Sequence, residues 1–269
     1  MPTRATYAVH VHEIEQRTPH QRRVVLTGAD LAGFPADFEG GYVKLLLPGP
    51  GADPLEAPPA RCKRRSYTVR AFDRAARTLT LDFALHDATG PAMRWVDGAS
   101  VGDAIRITGP GPVKRLDPAA DWVLLAGDLA ALPAIAVNLE RLPPTAKGYA
   151  LVEIPSPEDR QPLERPEGVE VRWLVNESGH PDASPLAEGV RALTWAPGRV
   201  SAWIACEFSV MRTLRAYLRN EHPIDPDALY LSSYWKWRAT DEQHKAAKAA
   251  DRGSSFLARL ARRLGSLRG

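Results

Sequence analysis

Apolar and polar residues alternate through the first part of the chain. Tyr7, Val9 and Val11 alternate with His10 and His12, RRVVLTG and YVKLLLP follow, and Leu79, Leu81, Phe83 and Leu85 alternate with Thr80, Asp82 and His86. A period of two predicts half-buried strands. Segments rich in glycine and proline, such as PGPGADPLEAPP, separate them, and a small antiparallel β-barrel is the natural closure. Beyond residue 116 the rhythm lengthens. WVLLAG precedes a helical stretch, ALPAIAVNLERL; GYALVEI and VEVRWLV come next; AWIACE leads into SVMRTLRAYLRNEH, where Met211, Leu214 and Leu218 fall at helical spacing. Strands alternating with helices predict parallel βαβ units. The expected organisation is an N-terminal antiparallel β-barrel over 1–116, a C-terminal α/β domain with a parallel sheet over 117–250, and a basic amphipathic tail over 251–269. KRLDPAAD is the expected linker. In the tail, Leu257, Leu260, Leu264 and Leu267 can form one stripe among Arg259, Arg262, Arg263 and Arg268.

Composition adds limits to this picture. The 269 residues suffice for two domains, and 44% hydrophobic with 25% charged residues is ordinary globular composition. A net charge of +3 does not argue for nucleic acid. Cys62 and Cys206 stand far apart and outside metal-ligand spacing, which suits a reducing compartment. The start MPTRATYAVH lacks the apolar core of a signal peptide, and the longest apolar stretch is interrupted by Asp128 and Pro133. A soluble cytoplasmic protein with no integral membrane segment is expected. His10 and His12 bring no further ligand with them and read as an exposed polar face, so no metal site is expected.

The stretch RCKRRSYTVR crowds five cationic side chains around a short strand. Strand geometry puts Arg65 and Tyr67 on one face, with Ser66 and Thr68 on the other. Arginine can grip a diphosphate and a tyrosine ring can lie against a flat heterocycle, which is what a dinucleotide requires. A solvated edge strand carrying charge against aggregation competes with that reading. The segment LHDATGPAMRWV favours the dinucleotide: a strand ends at His86, and Gly90, Pro91 and Ala92 open a short helix before Trp95. Backbone N–H groups at such a helix start form a diphosphate site.

Together these motifs resemble the siderophore-interacting proteins, flavin-dependent ferric-siderophore reductases related to the ferredoxin reductase superfamily. The likeness runs through RSYTVR, LHDATGPAMRW, GDLAALPAI, WIACE and SSYWK. It implies FAD held by Arg65, Ser66, Tyr67 and Thr68, with Arg70 completing the motif, and by Asp82, Phe83, His86, Gly90, Ala92, Met93 and Trp95. On the second domain it implies cofactor contacts at Gly127, Asp128, Glu207, Tyr234 and Trp235. Tyr67, Thr68 and Lys236 are the implied catalytic residues, and a ferric siderophore is the implied substrate. Lys63, Lys236, Arg238, Lys245 and Lys248 would attract an anionic ferric complex. Electrons would come from NADPH or NADH, or from a ferredoxin. The chain also departs from the family pattern. Asp87 stands at a usual glycine, Leu129 and Ala130 replace an acid and a threonine, and Cys206 precedes Glu207 where the family has glycine. The last two changes lie on the implied nicotinamide face, so FAD is better supported than NAD(P)H. A non-catalytic siderophore or partner-binding protein that has lost hydride transfer is the alternative.

Overall fold

Strand β1 (Thr6–Thr18) buries Tyr7, Val9 and Val11 while His10 and His12 face solvent, as the alternation requires. The computed structural model describes residues 5–86 and 90–252. After β1 come β2 (Gln21–Thr27), β3 (Tyr42–Leu47), β4 (Lys63–Asp73), β5 (Thr78–Ala84) and β6 (Ala104–Thr108). They close into an antiparallel barrel in the order β1-β2-β5-β4-β3-β6. Tyr7 lies opposite Ile107 in the β1–β6 pair that completes the ring. Val9, Leu26, Leu45, Val69, Leu81 and Ile107 fill it. β4, which carries RSYTVR, pairs with β3 along Lys63–Thr68 and with β5 along Val69–Asp73, so Lys63, Arg64 and Arg65 lie on the stretch paired with β3. Helix α1 (Pro91–Gly98) starts at Gly90 with proline in its first turn and sends Ala92, Met93 and Val96 into the barrel core. Trp95 lies within this helix rather than beyond it.

The second half holds β7 (Trp122–Asp128), α2 (Leu132–Glu140), β8 (Gly148–Ile154), β9 (Val169–Val175), α3 (Leu186–Arg191), β10 (Val200–Glu207), α4 (Phe208–Asn220) and β11 (Leu229–Trp235). Residues 241–252 form a last helix, α5. The strands pair in parallel in the order β11-β10-β7-β8-β9. β7 is buried at every position, which gives the continuous apolar run of a covered central strand. From β7 the chain steps outward to β9 and then returns to the other side of β7 as β10. The strand order therefore reverses between β7 and β10, the position where open α/β sheets form their ligand crevice. At that point a Cβ on Gly127 would meet the Ala205 carbonyl at 2.6 Å and the Ala131 side chain at 2.7 Å. Glycine is needed there for packing.

The expected boundary at residue 116 falls between β6 and β7. Three short elements gave no clear periodic signal: β6, only five residues of AIRIT; α3, six residues; and α5. Apart from Asp251 and Arg252, the amphipathic tail lies outside the described residues, as does Asp87.

Side-chain ties lock barrel to sheet. Asp159 in the β8–β9 connection is fully buried and accepts hydrogen bonds from Thr18 Oγ1 at 2.7 Å and from His20 N at 2.9 Å, with His20 Nδ1 at 2.8 Å. Gln161 donates to Gln21 Oε1 at 2.9 Å. Arg70 of β4 pairs with Glu140 of α2, and Trp203 of β10 donates to the Lys114 carbonyl at 3.0 Å. Burial alone raises the Asp159 pKa, but hydrogen bonds from Thr18 and His20 outweigh it and hold the carboxyl below its ordinary value. A lowered carboxyl stabilises the fold above its unfolded pKa, and that stabilisation is lost as pH falls through the folded value. Asp159→Ala should therefore cost about 2–3 kcal/mol at neutral pH. In denaturant unfolding the gap from wild type should shrink below about pH 3.9; a constant gap would count against the charged latch.

Candidate functional site

On β4, Tyr67 is half-buried and its ring lies 4.1 Å from Phe83 of β5. Phe83, wholly buried, lies 5.7 Å from Trp95 of α1. Three aromatic side chains predicted from separate segments thus form one continuous wall. Burial pushes the Tyr67 phenol well above its ordinary pKa, so the ring is a neutral, flat surface at neutral pH. Beside it, Arg65 is half-buried, and its nearest acid is Asp241 of α5 at 3.7 Å. Gly90 supplies no side-chain cap to α1, and among the described residues a Cβ placed on it meets nothing within 4 Å. Aromatic wall, arginine and the uncapped Gly90 at the helix start fit the ring and diphosphate of a flavin dinucleotide.

Other predicted barrel residues have structural work. Asp82 is gripped by Arg23 through two hydrogen bonds of 2.7 and 2.9 Å across the β2–β5 pair, and is itself buried. Ala92 and Met93 turn their side chains into the core, leaving only their backbone for a ligand. Ser66 and His86 are exposed. Thr68 is buried, and the Tyr234 hydroxyl of β11 lies within reach of it and of Tyr230. Barrel and sheet therefore meet where the implied FAD residues meet.

The implied nicotinamide residues converge at the carboxyl ends of the parallel strands. Trp235 donates its indole N–H to Asp128 Oδ2 at 2.7 Å. Asp128 lies opposite Glu153 in the β7–β8 register, and Glu207 opposite Trp235 in β10–β11. Glu207 accepts from the backbone of Ser209, of Val210 at 3.2 Å and of Trp237 at 3.0 Å. Burial, joined by the Glu153 charge, pushes the Asp128 carboxyl up to about 7 against the indole and backbone donors. Burial and the neighbouring carboxylates likewise raise the Cys206 thiol. Glu153, held by Asn176 and Ser184, was not foreseen; the one signal was an acid near the end of an otherwise apolar strand.

The expected substrate cations divide. Lys248 donates to the Ser233 carbonyl at 2.8 Å and is part of the β11–α5 packing. Lys236 sits 5.0 Å over the Phe208 ring. Lys245 pairs with Asp241, and Lys63 lies 3.7 Å from Glu242. Arg238 is exposed, with its guanidinium over Trp237. The sequence reading had not foreseen that Asp241 and Glu242 would face the β4 cations, because the pairs join residues more than 170 positions apart.

The family model for the siderophore-interacting FAD-binding domain matches residues 10–114, and that for siderophore-interacting protein matches residues 120–238. An uncharacterised protein of Mycobacterium tuberculosis is 40% identical, the match covering 92% of this chain and 96% of that protein. The chain belongs to the siderophore-interacting protein family. Another member, the ferric vibriobactin reductase of Vibrio cholerae, is 34% identical over 82% of this chain and 86% of its own. The solved structure of the siderophore-interacting protein SipS from Aeromonas hydrophila superposes with a TM-score of 0.84 at 34% identity, covering 94% of this chain and all of that one. A barrel followed by such a sheet is also the fold of a ferredoxin reductase of carbazole 1,9a-dioxygenase, matched with a TM-score of 0.63.

Asp128 supplies a pH test. Because its folded pKa is raised, its contribution to stability is complete below the ordinary aspartate range and is lost as pH rises through about 7. Asp128→Asn keeps an acceptor for Trp235 without the charge. Between about pH 5 and pH 8 the unfolding free energy should swing toward the variant by about 1–4 kcal/mol. A pH-independent difference in paired denaturant titrations would contradict the raised carboxyl.

Proposed function

We propose that this protein is an FAD-dependent reductase that passes electrons to Fe(III) held in a siderophore and releases Fe(II). The observation that carries the reading is the joint placement of the Tyr67–Phe83–Trp95 wall, Arg65 and the uncapped start of α1 at one mouth of the barrel. Relatives named as ferric vibriobactin and ferric acinetobactin reductases support the substrate class. FAD, when bound, supplies the chemistry that accepts a pair of electrons and gives them up singly. The chain's own residues would do the rest. Tyr67 would lie against the ring, Arg65 and the α1 amides would hold the diphosphate, and Thr68, backed by Tyr234, would support the ring edge where barrel meets sheet. The substrate's hard oxygen donors favour Fe³⁺ over Fe²⁺, so reduction loosens the complex. No iron ligand from the protein is required.

Arg61, Arg64 and Arg238 are exposed and, with Lys63, supply a long-range field for an anionic ferric complex. Asp241 and Glu242 moderate it. Reduced nicotinamide and reduced ferredoxin are the two donor classes compatible with such a flavin.

The purified protein should be yellow, and its flavin, once reduced anaerobically by dithionite, should be reoxidised by a ferric siderophore. Arg65→Ala should weaken FAD retention by roughly 1.5–3 kcal/mol, about a tenfold to hundredfold change in Kd. Unchanged retention would remove Arg65 from the site, and a reduced flavin indifferent to ferric siderophores would remove the reductase reading.

In stopped-flow reoxidation, the rate for an anionic ferric siderophore should fall with added salt, while that for a neutral ferric hydroxamate stays nearly level. Equal slopes would leave the exposed cations with solvation alone.

A further inference from the structure

The crevice outside β7 and β10 is where a sheet of this topology would seat a nicotinamide nucleotide, yet in this chain it is filled from within. The recess lined by Asp128, Glu153, Cys206, Glu207 and Trp235, among others, has room for about one water.

One helix start is also taken. A nucleotide diphosphate in such a sheet rests on backbone N–H groups at a helix start. At the start of α4, Glu207 caps Ser209 and Val210, so its carboxylate occupies the place of an external anion there. Asp128 Oδ1 accepts from Ala130 N at 3.1 Å in the turn before α2. Glu153 adds a third acid, fixed by Ser184 and by Asn176 at 2.9 Å.

Two further side chains close the remaining space. Trp235 is drawn over the crevice by its 2.7 Å bond to Asp128. Cys206 is 1% exposed and points its thiol among the acids, where glycine would leave a gap.

Resting on the FAD reading above, we propose that this crevice excludes nicotinamide nucleotides, and that Cys206 and Trp235 are the residues that decide it. Electrons then reach the flavin from a carrier that delivers them without placing a ring between β7 and β10. Reduced NADH and NADPH are accordingly poor donors for this chain.

The test uses the FAD-loaded protein. NAD⁺ and NADP⁺ are titrated by calorimetry to about millimolar, the upper end of ordinary enzyme affinities, and flavin bleaching by NADH and NADPH is followed anaerobically. Wild type should show no saturable binding of either nucleotide, and bleaching should rise linearly with nucleotide and reach no plateau. Cys206→Gly should retain wild-type FAD content by absorbance, and the double variant Cys206→Gly/Trp235→Ala should bind one or both nucleotides at least tenfold more tightly than wild type. Saturable submillimolar binding by wild type overturns the proposal, and so does a folded double variant that gains nothing. A wild type that retains no FAD refutes the flavin reading instead, and the calorimetric arm still reports on the crevice.

Discussion

One buried carboxylate ties the two halves of this protein together. Asp159 of the β8–β9 connection accepts hydrogen bonds from Thr18 and His20 of the β1–β2 hairpin with no exposure to solvent, and a flavin placed between barrel and sheet would need the halves held in this way. An unpaired carboxylate in that position would be costly. The β1–β2 hairpin must therefore dock each time the chain folds. Arg70–Glu140 and Arg141–Glu39 repeat the tie elsewhere on the boundary, but both are partly exposed and so contribute less per pair.

β4 shows how this constraint and the chemistry share one strand. Successive residues serve different neighbours: Arg65 and Tyr67 the open mouth, Val69 the barrel core, Arg70 the second domain. The resemblance assigns Arg70 to the cofactor along with the rest of R-x-Y-T-x-R, whereas its guanidinium is bonded to Glu140. Its contribution to a flavin would be to hold α2 against the strand that carries Tyr67.

What could be read from the sequence was whatever depends on local period. The in–out alternation of TYAVHVH and TLTLDFA fixed the barrel faces, and the run WVLLAG, buried throughout, marked a central parallel strand. Tyr67 was legible because the strand period puts it on one face with Arg65, whereas Phe83 and Trp95 were named through the family resemblance. Arg23–Asp82, Lys248–Ser233 and Lys63–Glu242 were not legible, because each depends on which elements become neighbours. Asp82 and Lys248 looked like ligand-binding groups for that reason; a polar residue destined for an internal partner has no local mark that separates it from one facing a ligand. AIRIT escaped notice because five residues hold too few alternations to stand out.

The same distinction governs the crevice. A helix start with unpaired N–H groups is an anion site by default, and a chain can leave it open for a ligand or fill it with its own carboxylate. At α1 Gly90 brings no side-chain cap, and among the described residues nothing beyond its chain neighbours lies within 4 Å of its Cβ position. At α4 the start is filled by Glu207. Asp128 bonds the turn before α2, so acids gather at the carboxyl ends of the strands, and burial raises Asp128 until it can be protonated near neutral pH. The partly protonated carboxyl lowers the repulsion with Glu153, and Trp235 shields both from water. One fold thus carries two helix starts in opposite states, the arrangement expected if the barrel alone is to hold a dinucleotide.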